Sequence, residues 1–562
     1  MAAGSHPNET TFDKWDSSCS TPTDEYSEPG GAWKQDNIRL NTASSAKDPV
    51  SAHSLWMTDN MSLENFGRRG ETQMPDVWKP QKKELVIMIS LSFISLMVAL
   101  DATILVTVLP VIAQKLDGTS AEAFWTGTSY LLTSAIFQPV IASISAVFGR
   151  QQLLITSLLF FTVGTILCSV ADNFTELLGG RCIQGIGGGG IITLTQVIFC
   201  DIVPLRQRPK YFAMVLGCWS IGSIIGPVVG GKLVESASWR WAFHINYPFC
   251  AIGFAVAILF VRLDAVAKLT FQEKLKRVDW LGAVLFIGSM TSLLIGISWG
   301  GIQHPWDSVA TLAPIIAGMT GIVAFFLWQW YRKEHTLLPL AVFGSWSAIA
   351  AFYNALINGL LAGIDMLPVV LLTVPSSVIV SILTTRLGRF RWAIWGGWMV
   401  TTLACGLQVM LDVDSTTVVT SALLAVLGIG MGMVLTSLNV GIQAISKPED
   451  AAMAASMYGF LRSLGMPIGV ALAGSVFSNS MSDKLSELGL PTSIAHDSEQ
   501  YIFVLRKMAD SPQKSAILSS YMRGFDSVFV MVTGLSATAL IVSFMIRKFS
   551  MDKILVAQFS AK

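Results

Sequence analysis

The chain has 562 residues, of which 52% are hydrophobic and 13% charged, about half the charged share of a soluble domain, and its mean hydropathy is +0.57. That excludes an ordinary soluble enzyme and assigns the chain to a bilayer, with length for a dozen or more crossings of about 20 residues each. Lys and Arg number 38 against 37 acids, so no basic field is present to attract nucleic acid.

Residues 1–83 are rich in Ser, Thr, Asp, Glu, Pro and Gly and carry no sustained period of 2 or 3.6, which predicts a disordered cytosolic tail. No basic start followed by an apolar run opens the chain, so the first span is expected to direct insertion. Asn8 and Asn60 begin N-x-[ST] sequons that stay unglycosylated on the cytosolic side. The seven cysteines form no CxxC pair and mostly sit in apolar runs, so they read as small core residues. No metal site and no cofactor is expected.

Apolar runs follow at 85–108, 124–148, 152–171, 176–202, 211–234, 241–262, 280–299, 309–330, 347–361, 364–385, 392–411, 417–445, 451–478 and 527–547. Fourteen crossings put both termini on one side. Lys82 and Lys83, Arg150, LRQRPK at 205–210, KLTFQEKLKR at 268–277, Arg332 and Lys333, the 386–391 segment, and Arg547 with Lys548 all fall on that side. The opposite loops 171–176, 301–308 and 412–417 hold no Lys or Arg. The positive-inside rule therefore predicts an all-α polytopic membrane protein with both termini cytosolic. Asn173, in an outward loop, is the glycosylation candidate, although it lies close to the membrane. Segment 479–526 reads as an outward loop.

Three pairs of similar segments point to an internal repeat. Gly149 and Gly388 are 239 residues apart, Gly226 and Gly465 also 239, and Gly185 and Gly428 243. Two homologous halves of this kind place a transport site between them near the membrane midplane.

Asp101 lies inside the first span, where a carboxylate costs about 2.5–3.5 kcal/mol, so it must face a partner or a polar interior. Arg181 in the fourth span sits at a similar depth and can share one polar layer with Asp101, either as a switchable pair or as a permanent couple that orients helices. Gln184, one turn on, has a substrate or a neighbouring helix open to it. Gly222, Gly226, Pro227, Gly230 and Gly231 place small residues at i, i+4 and i+8 on span five, allowing close backbone approach, and Pro227 can bend the helix. Asn354, Asn358, Asp365, Asn439, Gln443 and Arg462 are further buried polar candidates. Trp125, Tyr130, Trp219, Tyr353 and Tyr458 are candidates for an apolar pocket or for packing. From these, Gln184, Trp219, Asn354, Asn358, Asn439 and Arg462 are taken as the substrate cavity. GPVVGGKL at 226–233 lacks the Ser or Thr of a phosphate loop, and GIGGGG at 185–190 follows no strand, so neither is a nucleotide motif.

Four ordered segments, LDATILVTVLPVIA at 100–113, GRCIQGIGGGG at 180–190, GSIIGPVVGG at 222–231 and WRWAFHINYP at 239–248, resemble the fourteen-span drug:proton antiporter branch of the major facilitator superfamily common in fungi. The resemblance implies two six-helix bundles, at 84–263 and 336–548, joined by a cytosolic loop and two linker spans at 264–335, with a cytosolic tail at 549–562. It associates the arginine at position 181 with proton coupling, and the glycine-proline motif with exporters and with gating. The loop after span two departs from the family pattern, because Ala142, Ala146 and Gln151 replace a glycine, an acid and a base, leaving Gly149 and Arg150. A weakened inward charge lock is expected.

The second half is 23 residues short. Leu85 to Gly149 spans 64 residues and Ser347 to Gly388 only 41. The deficit falls at 347–385, too few residues for two full spans and a turn; two short tilted helices around Gly359–Pro368 keep the parity. The expected function is proton-coupled export of a small organic compound, such as a secondary metabolite, toxin or drug, by a monomer in the plasma membrane, or in a vacuolar or vesicle membrane. An uptake carrier of the same fold, for iron chelates or nutrients, and a transport-impaired receptor-like homologue are the alternatives. No catalytic constellation appears in the spans.

Overall fold

A computed structural model describes residues 78–561 except 262, 266–269, 302, 333–335, 365–366, 414, 497 and 554–558. The tail expectation for residues 1–77 and the candidate Asp365 lie outside the described residues. In chain order the elements are α1 (Lys82–Lys115), α2 (Ser120–Phe148), α3 (Arg150–Val170), α4 (Phe174–Ile202), α5 (Arg208–Ser236), α6 (Trp241–His244), α7 (Asn246–Leu259), β1 (Leu263–Ala265), α8 (Phe271–Arg277) and α9 (Trp280–Trp299). They continue with α10 (Val309–Arg332), α11 (Trp346–Ala362), α12 (Leu367–Leu387), α13 (Arg391–Gln408), α14 (Thr417–Ile445), α15 (Ala451–Glu487), α16 (Ser493–His496), α17 (Ser498–Lys507), α18 (Pro512–Ser543) and β2 (Phe559–Ala561). The only strands among the described residues are β1 and β2, which pair antiparallel.

Among the described residues, twelve helices are long and apolar enough to cross a bilayer: α1 to α5, α6–α7 as one, α9, α10, α12, α14, α15 and α18. The two other apolar runs of the sequence form α11, of 17 residues, and α13, of 18. Caps fix where helices begin. Thr119 and Glu122 form a capping box on α2, the Asn173 side chain accepts from Glu176 N at the start of α4, and Thr416 caps α14; each satisfies an amide that the first turn leaves free. Gly149 and Gly388, with φ of 115° and 62°, terminate α2 and α12 in a backbone conformation that favours glycine.

The repeat is written in the packing. A Cβ on Gly226 would meet Ile104 N of α1, and one on Gly465 would meet Leu360 N of α11; Gly230 and Gly469 abut the carbonyls of the same two residues. Gly185 and Gly189 of α4 abut Tyr130 O and Ser134 O of α2, as Gly428 and Gly432 of α14 abut Val369 O and Thr373 O of α12. The pairs α1·α5 and α2·α4 thus recur as α11·α15 and α12·α14. The halves meet through equivalent faces, α2 against α15 and α5 against α12.

This register locates the shortfall. Ile104 to Tyr130 is 26 residues, Leu360 to Val369 is 9, so 26 − 9 = 17 residues are missing from the far arms of the α11–α12 hairpin. The remaining deficit lies in the shorter start of α11. Beyond Ile104, α1 continues for 11 residues, whereas α11 ends two residues after Leu360. At 1.5 Å per residue its turn stops about 13 Å short of its counterpart. The 347–385 segment forms two helices, of which α11 is short and α12 has 21 residues.

The segment expected as an outward loop at 479–526 is mostly helical. The helix α15 runs to Glu487 and α18 starts at Pro512, because Met481, Leu485, Ile494, Leu505, Ile517 and Tyr521 bury one another in a small separate core. In the linker pair, the fully buried Asp279 carboxylate accepts from Gly282 N, Trp328 Nε1, Gln329 Nε2 and Arg332, at 2.7–3.0 Å. Both described chain ends lie at one end of the helices: Trp78 packs edge-on against Tyr211, and Asp552 pairs with Arg206 of the α4–α5 loop at 2.9 Å.

Candidate functional site

Three polar layers lie within the bundle. In the first, Arg181 of α4 donates to Asp101 Oδ2 of α1 at 2.9 Å, and both side chains are 2% exposed. The other carboxylate oxygen accepts from Gln184 Nε2 at 2.8 Å and Asn246 Nδ2 at 2.6 Å. Arg181 also donates to Gln184 Oε1 and Thr126 O, and its guanidinium lies 4.3 Å from the centre of the Tyr130 ring. Three donors on one carboxylate match its ionised form, and the opposite charge and the ring face satisfy the guanidinium. Gln184 is wholly committed: besides Asp101 and Arg181 it donates to Thr165. It therefore orients the pair in this conformation and is not free for substrate. Asn246 was not singled out by sequence reasoning, although it sits in the WRWAFHINYP segment and opens α7. Its Oδ1 and the Tyr130 hydroxyl are buried without a hydrogen-bond partner.

The second layer lies at the seam between the halves. Gln138 Nε2 of α2 donates to Ser463 Oγ of α15 at 2.9 Å, and Gly459 stands against the Gln138 and Gln196 side chains. Both glutamine Oε1 atoms and the Ser456 hydroxyl are buried without a partner. Arg462 of α15 donates to Asn358 Oδ1 of α11 at 3.3 Å. Asn354, one turn earlier, bonds back to Ala350 O and leaves its Oδ1 unpartnered. Asn354, Asn358 and Arg462 thus share one region.

Asn439 is elsewhere, in the third layer at the basic end, accepting from Gln443 at 2.6 Å. Arg208 joins Gln443 Oε1, Cys200 O and Val203 O at 2.6–2.7 Å, and Lys553 donates to Ala444 O and Ser446 O. These contacts seal the basic end between the halves, mainly with neutral acceptors. Arg150 is fully buried and pairs with Asp201 of α4 at 3.0 Å, with Ser145 as a second partner. The acid that the loop lacks at Ala146 is thus supplied to Arg150 from within the same half by Asp201.

The aromatic pocket does not form as one unit. Tyr130 and Trp219 belong to the first half's core, whereas Trp125, Tyr353 and Tyr458 pack with the second's. Gly222, Gly226 and Gly230 face α1, whereas a Cβ on Gly231 would meet nothing and Pro227 is only half-buried. Three of those five small residues thus make the close approach. Asn173 is exposed and spends both polar atoms on Glu176 in capping α4. No group of three His, Cys, Asp or Glu suited to a metal occurs among the described residues.

The profile of the Major Facilitator Superfamily matches residues 91–470. The MFS transporter L2 of a Phoma species is 38% identical over 84% of this chain and 84% of its own length. The efflux pump FUS6 of Gibberella fujikuroi is 30% identical over 87% of this chain and 93% of its own. Among solved structures, the human organic anion transporter MFSD10 (TETRAN) superposes with a TM-score of 0.50 at 12% identity, covering 83% of this chain and all of that one, a likeness of fold.

Proposed function

This chain belongs to the Major Facilitator Superfamily, and from that premise we propose that it is a proton-coupled exporter of small organic compounds, such as secondary metabolites or toxins. It is a multi-pass membrane transporter and not an enzyme. The relatives named as efflux pumps support the direction of transport. The observation that carries the coupling is the Asp101–Arg181 pair: a buried carboxylate with three donors is charge-balanced only while deprotonated. Taking up a proton on Asp101 removes the attraction for Arg181 and leaves the guanidinium to Gln184 and Thr126 O, so protonation and rearrangement are linked.

In the proposed cycle the basic end is cytosolic and closed in this conformation. A proton enters from outside onto Asp101. The halves then part at the Arg208–Gln443 layer, and release of the proton inward is exchanged for substrate. Gly222, Gly226 and Gly230 serve as the surface on which α1 and α5 shift. Gly149 and Arg150 fix the α2–α3 turn. All fourteen apolar helices cross, both termini are cytosolic, the two bundles keep the boundaries 84–263 and 336–548, and the monomer acts in the plasma membrane.

The test is accumulation of a fluorescent amphipathic aromatic acid by inside-out vesicles with an acidic lumen, which reproduces the exterior. Wild type accumulates the probe until a protonophore is added. Accumulation that ignores the protonophore defeats the antiport reading.

A further inference from the structure

A guanidinium in the hydrocarbon region calls for a counter-charge, and Arg462 has none within the described protein. It makes no ion pair, only the long contact to the Asn358 carbonyl. It lies 11 residues from the start of α15, about 16 Å at 1.5 Å per residue, which is close to the middle of a hydrocarbon layer about 30 Å thick. Lipid headgroups at either surface are therefore out of reach. An unpaired cation at that depth is costly and marks a binding function by default.

Its direction follows from the helix. Gly459 and Ser463 face Gln138 and Gln196 of the first half, and Gly465 and Gly469 face α11. At 100° per residue Arg462 falls about 60° from Gly459 and 60° from Gly465, so it points into the crevice between α11 and the first half. Beside that crevice lie two buried glutamine carbonyls without donors. The complementary ligand thus has an anionic oxygen for Arg462 and hydroxyl or N–H groups for Gln138 and Gln196.

We propose that Arg462 anchors the acidic group of the substrate and that the transported class is organic acids carrying hydroxyl or N–H donors, with Gln138 and Gln196 reading those donors. This rests on the exporter reading above. Arginine presents a planar fork that matches a carboxylate bidentately, so Arg462→Lys keeps the charge and loses part of the fit. Arg462 and the two glutamines belong to opposite halves, so when the halves part on the exterior side the three groups separate and the ligand is released there.

The test uses fluorescent hydroxynaphthoate, its uncharged hydroxynaphthamide, and naphthoate without the hydroxyl, in energised inside-out vesicles. Wild type is expected to take up hydroxynaphthoate about tenfold faster than the amide, since a charge-assisted contact is worth at least one factor of ten. Arg462→Gln lowers the acid-to-amide uptake ratio about tenfold, to near one, a change of ratio that misfolding, which lowers both rates alike, would not produce. Naphthoate is transported more slowly than hydroxynaphthoate by wild type but not by the Gln138→Leu, Gln196→Leu double variant. Equal uptake of acid and amide by wild type, or a charge preference that survives in Arg462→Gln, overturns the anion site while leaving the exporter reading intact. Failure of wild type to accumulate any of the three overturns both.

Discussion

Asp101→Asn removes the carboxylate that alone pairs with Arg181 among the described residues and leaves the guanidinium buried without that counter-charge. Breaking a buried ion pair from one side costs about 3–5 kcal/mol. Asparagine Oδ1 still accepts from Gln184 and Asn246, so those two contacts, worth about 1 kcal/mol each, are retained and the loss falls on the pair itself. The reverse change, Arg181→Gln, strands the carboxylate with two neutral donors and is expected to cost a similar amount. Making both changes removes both charges, so the two costs should fall well short of adding, with a coupling of about 3 kcal/mol. Chaotrope unfolding of the purified chain in lipid nanodiscs, followed by tryptophan fluorescence, measures all four proteins. Single costs that add to within about 0.5 kcal/mol would refute the idea that these two charges depend on each other.

Gly226→Ala and Gly465→Ala should each cost about 1–3 kcal/mol, because their new methyl groups overlap Thr103 Oγ1 and the Leu356 carbonyl; Gly231→Ala, facing open space, should be neutral by the same unfolding assay. Arg208→Ala removes three acceptor contacts at the basic end and should raise labelling of Asn439→Cys by an impermeant maleimide from the cytosolic side about tenfold; unchanged labelling would mean that Arg208 does not hold the seam. A spin label at Ile364 should report a position about 12 Å nearer the membrane centre than one at Leu116, and equal depths would contradict the short α11–α12 hairpin. The Thr270 backbone N–H and hydroxyl, aided by Arg277 and Lys276, hold the Glu273 carboxyl below its ordinary range. A depressed carboxylate contributes above its unfolded pKa and loses that contribution as pH falls through the folded value. Hydrogen exchange in α8 should therefore accelerate on acidification below the usual glutamate range and stay flat above it.

Sequence reasoning reached the elements whose signal is local or periodic. The apolar runs gave the long helices, and Asp101 with Arg181 stood out because charge in a span needs a partner. The glycine spacings of 239 and 243 carried the repeat down to individual close contacts. What escaped depended on which side chains meet in three dimensions. Asn246 lies 145 residues from Asp101, and nothing in its own segment states that it completes the carboxylate's shell. Asp201 replaces the missing acid at Ala146 from another helix. Asn439 and Asn358 look alike as buried amides yet belong to different layers, since depth along α14 and along α11 cannot be compared without the register between them. The 23-residue deficit was counted correctly, whereas its division between the hairpin arms and the start of α11 required the Ile104–Leu360 match.

The most direct test of coupling through Asp101 compares two modes of transport in one preparation of inside-out vesicles. With hydroxynaphthoate on both sides and no gradient, wild type and Asp101→Asn should exchange labelled for unlabelled probe at similar rates. With an acidic lumen, only wild type should accumulate it. Gradient-driven accumulation by Asp101→Asn equal to wild type would contradict the proposal that this carboxylate carries the proton.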